Sequence, residues 1–177
     1  ARDTIIRDDW VCLNLDTFND QQTLYALYVN PLGIQGDSRF TAGQEDYSVD
    51  IVWTSAGRID AEGYTIEISM PFKSIRYRQR EPVEMGIIFE RRISRLSEGG
   101  TYPPLDPAQG VNFLTQTRAL HFTDIAHYTL LEVLPAVTYG RDSLAENGSL
   151  AARKAKSEFS LTGKVGLTSQ LILDGTV

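Results

Sequence analysis

Apolar and polar residues alternate along several short segments of this chain, a pattern typical of half-buried β-strands. In the segment 10–16, Val11, Leu13 and Leu15 fall on one face. A turn-rich stretch follows, and then a second apolar segment at 24–30. The two segments predict an antiparallel hairpin. The second strand should end at Pro31, because proline has no N–H to donate to a ladder.

The pattern continues to about residue 125. Further strands are predicted at 47–53, 64–72 and 85–93, with a weaker strand pair at 113–122. The segments 35–45 and 97–109 are predicted to be loops and 55–58 a turn, because they are rich in polar residues, Gly or Pro. A single helical turn is expected at 72–75. No long segment has the 3.6-residue period of a helix, so the prediction is an all-β fold, an antiparallel β-sandwich.

The strand at 64–72 is the most regular one. Its apolar side chains should face the core, and we expect Ile66, Ile68 and Phe72 to be largely buried.

The pattern changes near residue 126. The segment 128–139 is long and apolar, with Glu132 as its only charged residue. The segment 158–173 alternates between apolar and polar residues. One face carries Val165, Leu167, Leu171 and Leu173, and the opposite face carries Lys164, Thr168 and Gln170. Long strands of this kind are typical of transmembrane β-barrels. Two more strands of a soluble sheet are the alternative.

Composition and charge narrow the function classes. The chain has 177 residues, of which 23% are charged, as in ordinary globular proteins. Its net charge of −6 argues against a nucleic-acid partner, because phosphate contacts need clustered Lys and Arg. Cys12 is the only cysteine, so no internal disulfide is possible.

Four segments together carry a resemblance to a known family. They are DWVCLNLDTFNDQQTLYALYVNPLGIQGD at 9–37, GYTIEISMPFKSIRY at 63–77, MGIIFERRISR at 85–95 and LEVLPAVTY at 131–139. In this order they resemble the domain, similar to family 9 carbohydrate-binding modules, that precedes a large outer-membrane β-barrel in many Gram-negative bacterial proteins.

The resemblance implies a domain organisation and a location. A carbohydrate-binding-like sandwich would occupy 1–125 and lack its N-terminal part. The first strands of an outer-membrane β-barrel would occupy 126–177. The protein would then lie at the cell outer membrane, with the sandwich periplasmic or at the barrel mouth and with a saccharide as its ligand.

Aromatic residues are the candidate sugar-binding groups, because the C–H face of a pyranose ring stacks on a flat ring. Trp53 and Trp10 are the only tryptophans, and Tyr47 and Arg58 flank Trp53 in the sequence. These four form the predicted ligand site. Alternatively, both tryptophans lie in the core. Trp53 would then continue the apolar face of the 47–53 strand, and Trp10 would be buried on the same side of its strand as Cys12.

Acidic residues suggest two further kinds of site. Asp16 and Asp20 are candidate calcium ligands, because hard cations favour carboxylate oxygens from loops. Solvated turn aspartates are the alternative. Glu67, Glu90 and Asp50 could suggest the acid pair of a glycosidase. We instead expect Glu67 or Glu90 to pair with an arginine among Arg91, Arg92 and Arg95.

Three functions follow from these patterns. The first is a non-catalytic, carbohydrate-binding-like module attached to an outer-membrane barrel. The second is a structural or interaction domain (a plug, scaffold or assembly contact) without sugar binding. The third is a glycoside hydrolase acting on O-glycosyl bonds. An exposed Trp53 in a groove favours the first, a buried Trp53 the second, and a close carboxylate pair in a cleft the third.

Overall fold

The computed structural model describes residues 4–126, 129, 131–141, 143–146, 149–152, 155–167 and 171–177. The chain divides after residue 127 into two compact units, each of which is described by itself. Both consist mainly of antiparallel β-strands, so the all-β prediction is confirmed.

The first unit contains most of the strands. They are β1 Trp10–Asp16, β2 Thr23–Val29, β3 Gln35–Thr41, β4 Gln44–Asp46, β5 Thr54–Ile59, β6 Tyr64–Ser69, β7 Val83–Ile93, β8 Glu98–Tyr102 and β9 Arg118–Phe122. Short 3₁₀ helices lie at Ile5–Arg7, Phe72–Ser74, Ser94–Leu96 and Pro107–Gln116. The helical turn expected near 72–75 is therefore present.

Two sheets make up this unit. The large sheet has the order β4-β3-β2-β1-β7-β8, and β9 also pairs with β7. The small sheet is the hairpin β5-β6. The predicted β1–β2 hairpin is confirmed, and its register places Leu13 opposite Leu27.

The large sheet is covered on both faces, because successive residues of a strand point to opposite sides. The inner cluster lies between the two sheets and consists of Leu27, Val29, Ile51, Trp53, Ile75, Tyr77, Val83 and Met85, with Ile66, Ile68, Met70 and Phe72 packed against it. The outer cluster lies on the opposite face and consists of Ile5, Trp10, Cys12, Leu24, Ala26, Tyr28 and Leu114. β1 and β2 contribute to both clusters.

The predicted core face of β6 is confirmed, but its depth was overestimated. Ile66, Ile68 and Phe72 pack against the inner cluster and are only partly buried.

Several loop predictions were wrong. The predicted loop at 35–45 forms β3 and most of β4, the predicted turn at 55–58 lies within β5, and the predicted loop at 97–109 contains β8. The predicted strand pair at 113–122 is the end of a 3₁₀ helix followed by β9. Pairing with neighbouring strands overrides the weak propensity of these polar and glycine-rich segments.

The predicted strand at 47–53 is not a strand, although its alternation is clear. Ile51 and Trp53 both reach the inner cluster from an irregular segment. The carboxylate of Asp37, a buried residue of β3, accepts a hydrogen bond from the backbone N–H of Ile51 at 2.6 Å. A side chain thus replaces the strand partner that this backbone would otherwise have.

The second unit contains a three-stranded sheet and a two-stranded sheet. Its strands are β10 Leu131–Gly140, β11 Ser143–Glu146, β12 Ser149–Ala152, β13 Lys156–Gly166 and β14 Ile172–Thr176. β13 lies between β10 and β14, and β11 pairs with β12. The predicted 158–173 strand is therefore a hairpin, closed by a bond from Leu167 N–H to the carbonyl of Leu171 at 2.9 Å. Tyr128, Thr168 and Gln170 lie outside the described residues.

Leu27 tests whether the sheet is buried as described. Leu27 is fully buried in the inner cluster, whereas Leu32 is exposed in the turn after β2. We expect Leu27→Ala to lower the free energy of unfolding by about 2–5 kcal/mol and Leu32→Ala to change it by less than about 0.5 kcal/mol. Urea denaturation followed by tryptophan fluorescence measures both. Equal losses for the two variants would contradict the assigned core.

Candidate functional site

Both tryptophans are buried. Trp53 is 5% exposed in the inner cluster, and Trp10 is 8% exposed in the outer cluster, where its ring meets Tyr28 edge-on at 5.1 Å. A depression of about 350 Å³ lies beside Trp53. Because so little of the Trp53 side chain is exposed, the indole ring contributes little surface to this depression. The two indoles therefore act as packing groups, and neither presents a face on which a sugar could stack.

The other two predicted ligand residues lie elsewhere. Tyr47 is half exposed, and its hydroxyl donates to Glu45 Oε2 at 2.7 Å. Arg58 is exposed in β5 and pairs in register with Thr65, on the face of the small sheet that points away from the core. The structure thus separates Trp53, Trp10 and Arg58 onto different faces, and the predicted four-residue site does not form.

The aspartates named as calcium ligands have other partners. Asp16 is buried, and its carboxylate accepts the backbone N–H groups of Gln21 at 2.7 Å and Asp20 at 3.3 Å. Asp20 accepts the N–H of Gln22 at 3.0 Å. These bonds close the β1–β2 turn. Within the described residues no group of three or more His, Cys, Asp or Glu is arranged to hold a metal.

A polar network crosses the outer face of the large sheet. Glu45 Oε1 accepts the hydroxyls of Tyr28 at 2.6 Å and Ser38 at 2.5 Å, and its Oε2 accepts that of Tyr47. The pKa of Tyr47 is raised to about 12, mainly because burial disfavours the charged phenolate. The hydrogen bond from the Tyr47 hydroxyl to Glu45 also contributes to this rise. Glu45 is thus held by three hydroxyls, an arrangement that fixes the edge strand β4 to β2 and β3.

The proposed glutamate pair is not formed. Glu67 lies on the outer face of the small sheet, whereas Glu90 lies on the outer face of the large sheet, opposite Cys12. Burial raises the pKa of Glu90, as does the negative charge of Glu45, and Arg92 acts in the opposite direction. Among the described ion pairs neither glutamate bonds an arginine, so the expected salt bridge was wrong.

A groove that the sequence reasoning missed lies along β7 and β8. Its volume is about 490 Å³, and Val11, Phe89, Arg91 and Tyr102 contribute to its lining. Phe89 and Tyr102 are cross-strand partners and are 45% and 58% exposed. The alternation of 85–93 correctly placed Phe89 and Arg91 on one face. Tyr102 fell in a predicted loop, which concealed the aromatic pair. We call this the β7–β8 groove.

The sheet β10-β13-β14 has two unlike faces. On one face the large side chains are apolar, with exposures from 37% at Leu161 to 88% at Val177; they are Leu131, Val133, Val137, Tyr139, Phe159, Leu161, Leu173 and Val177. The other face carries the exposed Leu134 and a group of charged residues, in which Lys164 lies 3.9 Å from Glu132 and 3.8 Å from Asp174. The prediction that Val165 and Leu173 lie opposite Lys164 is confirmed.

Comparison of this chain with models of protein families, with curated proteins and with solved structures finds no match. In the part of the chain that the structure describes, no helix has both the length and the apolar character needed to cross a membrane.

The raised pKa of Glu90 predicts a pH dependence. The folded state binds the proton of the Glu90 carboxyl more tightly than the unfolded state does. The stability that this tighter binding contributes is therefore lost as pH rises from about 4.3 through the pKa of Glu90 in the folded state. Glu90→Gln removes this loss. We therefore expect the free energy of unfolding of Glu90→Gln, relative to wild type, to increase between about pH 4 and about pH 7.

Urea denaturation at both pH values measures this change. Glu67→Gln removes one negative charge from an exposed position and serves as the matched control. A difference between Glu90→Gln and wild type that stays constant over this range would contradict the assigned environment of Glu90.

Proposed function

We propose that this chain is a non-catalytic part of an outer-membrane protein. In this proposal the first unit is a structural or interaction domain, and the second unit contains the first strands of a membrane β-barrel. The observation that carries the proposal is the sheet β10-β13-β14, whose exposed apolar face lies opposite a face that carries the charged residues Glu132, Lys164 and Asp174.

The length and composition of this sheet fit a lipid bilayer. β10 has 10 residues and β13 has 11, and a tilted strand needs about 9–11 residues to cross the hydrocarbon core. A barrel strand alternates between a lipid-facing apolar side and a polar interior. The ion pairs of Lys164 and the contact between the Thr162 and Thr176 hydroxyls at 3.0 Å lie together on the polar side.

An apolar face of this size favours lipid over water. Residues such as Leu131, Val137 and Phe159 would form a contiguous exposed patch, which soluble monomers rarely carry. Tyr139 and Phe159 lie toward one end of the pair β10-β13, where barrel strands place aromatic residues near the membrane interface.

The burial of both tryptophans favours an interaction domain as the function of the first unit. Trp53 and Trp10 stabilise the inner and outer clusters and are not available to a ligand. Asp16, Asp37 and Glu45 likewise hold turns and loops by accepting hydrogen bonds. Asp16 and Asp20, which the sequence suggested as metal ligands, thus have structural partners, and this supports a scaffold more than a ligand site built from them.

Sugar binding is a second candidate function, and the β7–β8 groove is the observation that favours it. Phe89 and Tyr102 offer two adjacent exposed rings on which a pyranose could stack. Arg91 and Thr101 line the same groove and could bond hydroxyl groups. This site differs from the one that the sequence suggested, since it contains neither tryptophan.

A fluorescence experiment tests the location of the second unit. Val137 lies on the apolar face, and its neighbour Thr138 lies on the polar face of the same strand. Val137→Cys and Thr138→Cys are each labelled with an environment-sensitive dye; Cys12 is fully buried and does not compete in the folded protein. We expect the dye at 137, but not at 138, to shift to shorter wavelengths in phosphatidylcholine vesicles.

Brominated acyl chains provide the control for depth. They should quench the dye at position 137 because bromine within the hydrocarbon is then in contact with it. Water-like emission and absence of quenching at both positions would contradict the membrane location.

A further inference from the structure

The small sheet is anchored through β5. Gly57 lies so near the turn that follows β2 that a Cβ there would lie 2.4 Å from the carbonyl oxygen of Pro31. The hydroxyl of Ser55 donates to the carbonyl of Gly33 at 2.8 Å. Gly57 pairs with Ile66 and Ser55 with Ile68, so both contacts lie on the inner face of the small sheet. The turn after β2 therefore packs on this face of β5.

The β6 edge is open. The backbone N–H of Asp60 donates to the carbonyl of Gly63 at 2.9 Å, which sets the phase of the hairpin ladder. Because bonded and non-bonded pairs alternate in an antiparallel ladder, Thr65, Glu67 and Ser69 bond to β5. The backbone groups of Tyr64, Ile66 and Ile68 point away from β5, and β6 pairs with no other strand among the described residues.

The surface beside this edge is apolar and uncovered. In the large sheet, Phe89 and Tyr102 of the β7–β8 groove belong to the face that carries the inner cluster, since Phe89 is paired with Leu13. Arg91 links this groove to β6, because its guanidinium lies 5.3 Å from the centre of the Tyr64 ring. The Tyr64 hydroxyl is buried and has no hydrogen-bond partner in the described part of the chain.

We propose that the β6 edge and the β7–β8 groove together form a site for β-strand addition. The occupant is an extended polypeptide segment with apolar side chains at alternate positions. Its backbone bonds to Tyr64, Ile66 and Ile68, and its apolar side chains pack on Phe89 and Tyr102. The inference rests on the proposed interaction function and names the kind of partner that this domain takes.

A polypeptide fits these observations better than a saccharide does. Outward backbone N–H and C=O groups at every second residue of β6 match the spacing of another main chain. The half-buried Ile66 and Ile68 would gain cover from a third strand of the same sheet. A sugar stacked on Phe89 and Tyr102 would leave the outward backbone groups of β6 in water.

Amide hydrogen exchange on the 177-residue chain tests the proposal. The probe is an acetylated and amidated heptapeptide in which Thr and Val alternate. Near ten times its Kd, we expect the amides of Tyr64, Ile66 and Ile68 to exchange about tenfold more slowly. The same peptide with its alternate backbone nitrogens methylated on the pairing edge keeps its side chains, and we expect it to give no protection.

Variants on the groove and a sugar probe complete the test. Tyr102→Ala should weaken the protection by removing an exposed ring, whereas Tyr47→Ala, half exposed on the opposite face of the large sheet, should not. No protection by the unmethylated peptide, or equal protection by both peptides, would overturn the proposal. The proposal would also be overturned if cellohexaose shifted the NMR resonances of Phe89 and Tyr102 and the peptide did not, since sugar binding would then be the correct function. The vesicle experiment on residue 137 is unaffected by these outcomes, so the membrane proposal fails or stands separately.

Discussion

The need to bury both faces of the large sheet constrains the rest of the first unit. Its central strands alternate between two clusters, so that Leu27 and Val29 point to the inner one while Ala26 and Tyr28 point to the outer one. The small sheet can cover only the inner face. The outer face is covered instead by short 3₁₀ segments that contribute Ile5 and Leu114.

The sequence predicted those strands whose side chains alternate and whose backbones also pair. β1 was predicted with its observed bounds, and β2, β6 and β7 were predicted within a few residues. The prediction failed at 47–53, where Ile51 and Trp53 alternate in burial but the Asp37 carboxylate takes the place of a strand partner. It failed at β5 because the Ser55–Arg58 segment has the composition of a turn, whereas its Gly57 is needed for a close approach to Pro31. Alternation reports which side chains are buried, and pairing depends on residues distant in sequence.

The candidate site was less predictable than the fold. Trp53 and Asp16 have side chains suited to ligand binding, and the structure uses both internally, for packing and for closing a turn. Composition cannot distinguish these uses, because each depends on what lies across the sheet. The exposed pair Phe89 and Tyr102 arises only from the β7–β8 register. In the part of the chain that the structure describes, the groove beside β6 and the apolar face of β10-β13-β14 are both exposed and largely apolar, and we propose a polypeptide for the first and lipid for the second.

Native-state hydrogen exchange under increasing urea tests most directly whether the doubly covered sheet is the stable centre of the first unit. The residues Cys12, Leu27 and Ile87 each have a paired strand residue on both sides. The account predicts that these amides exchange only through global unfolding, with a free energy equal to that from urea denaturation. The outward amides of Ile66 and Ile68 should exchange at far lower free energy. If the amides of Cys12 and Ile87 opened as easily as those of β6, the large sheet would not be the element on which this structure depends.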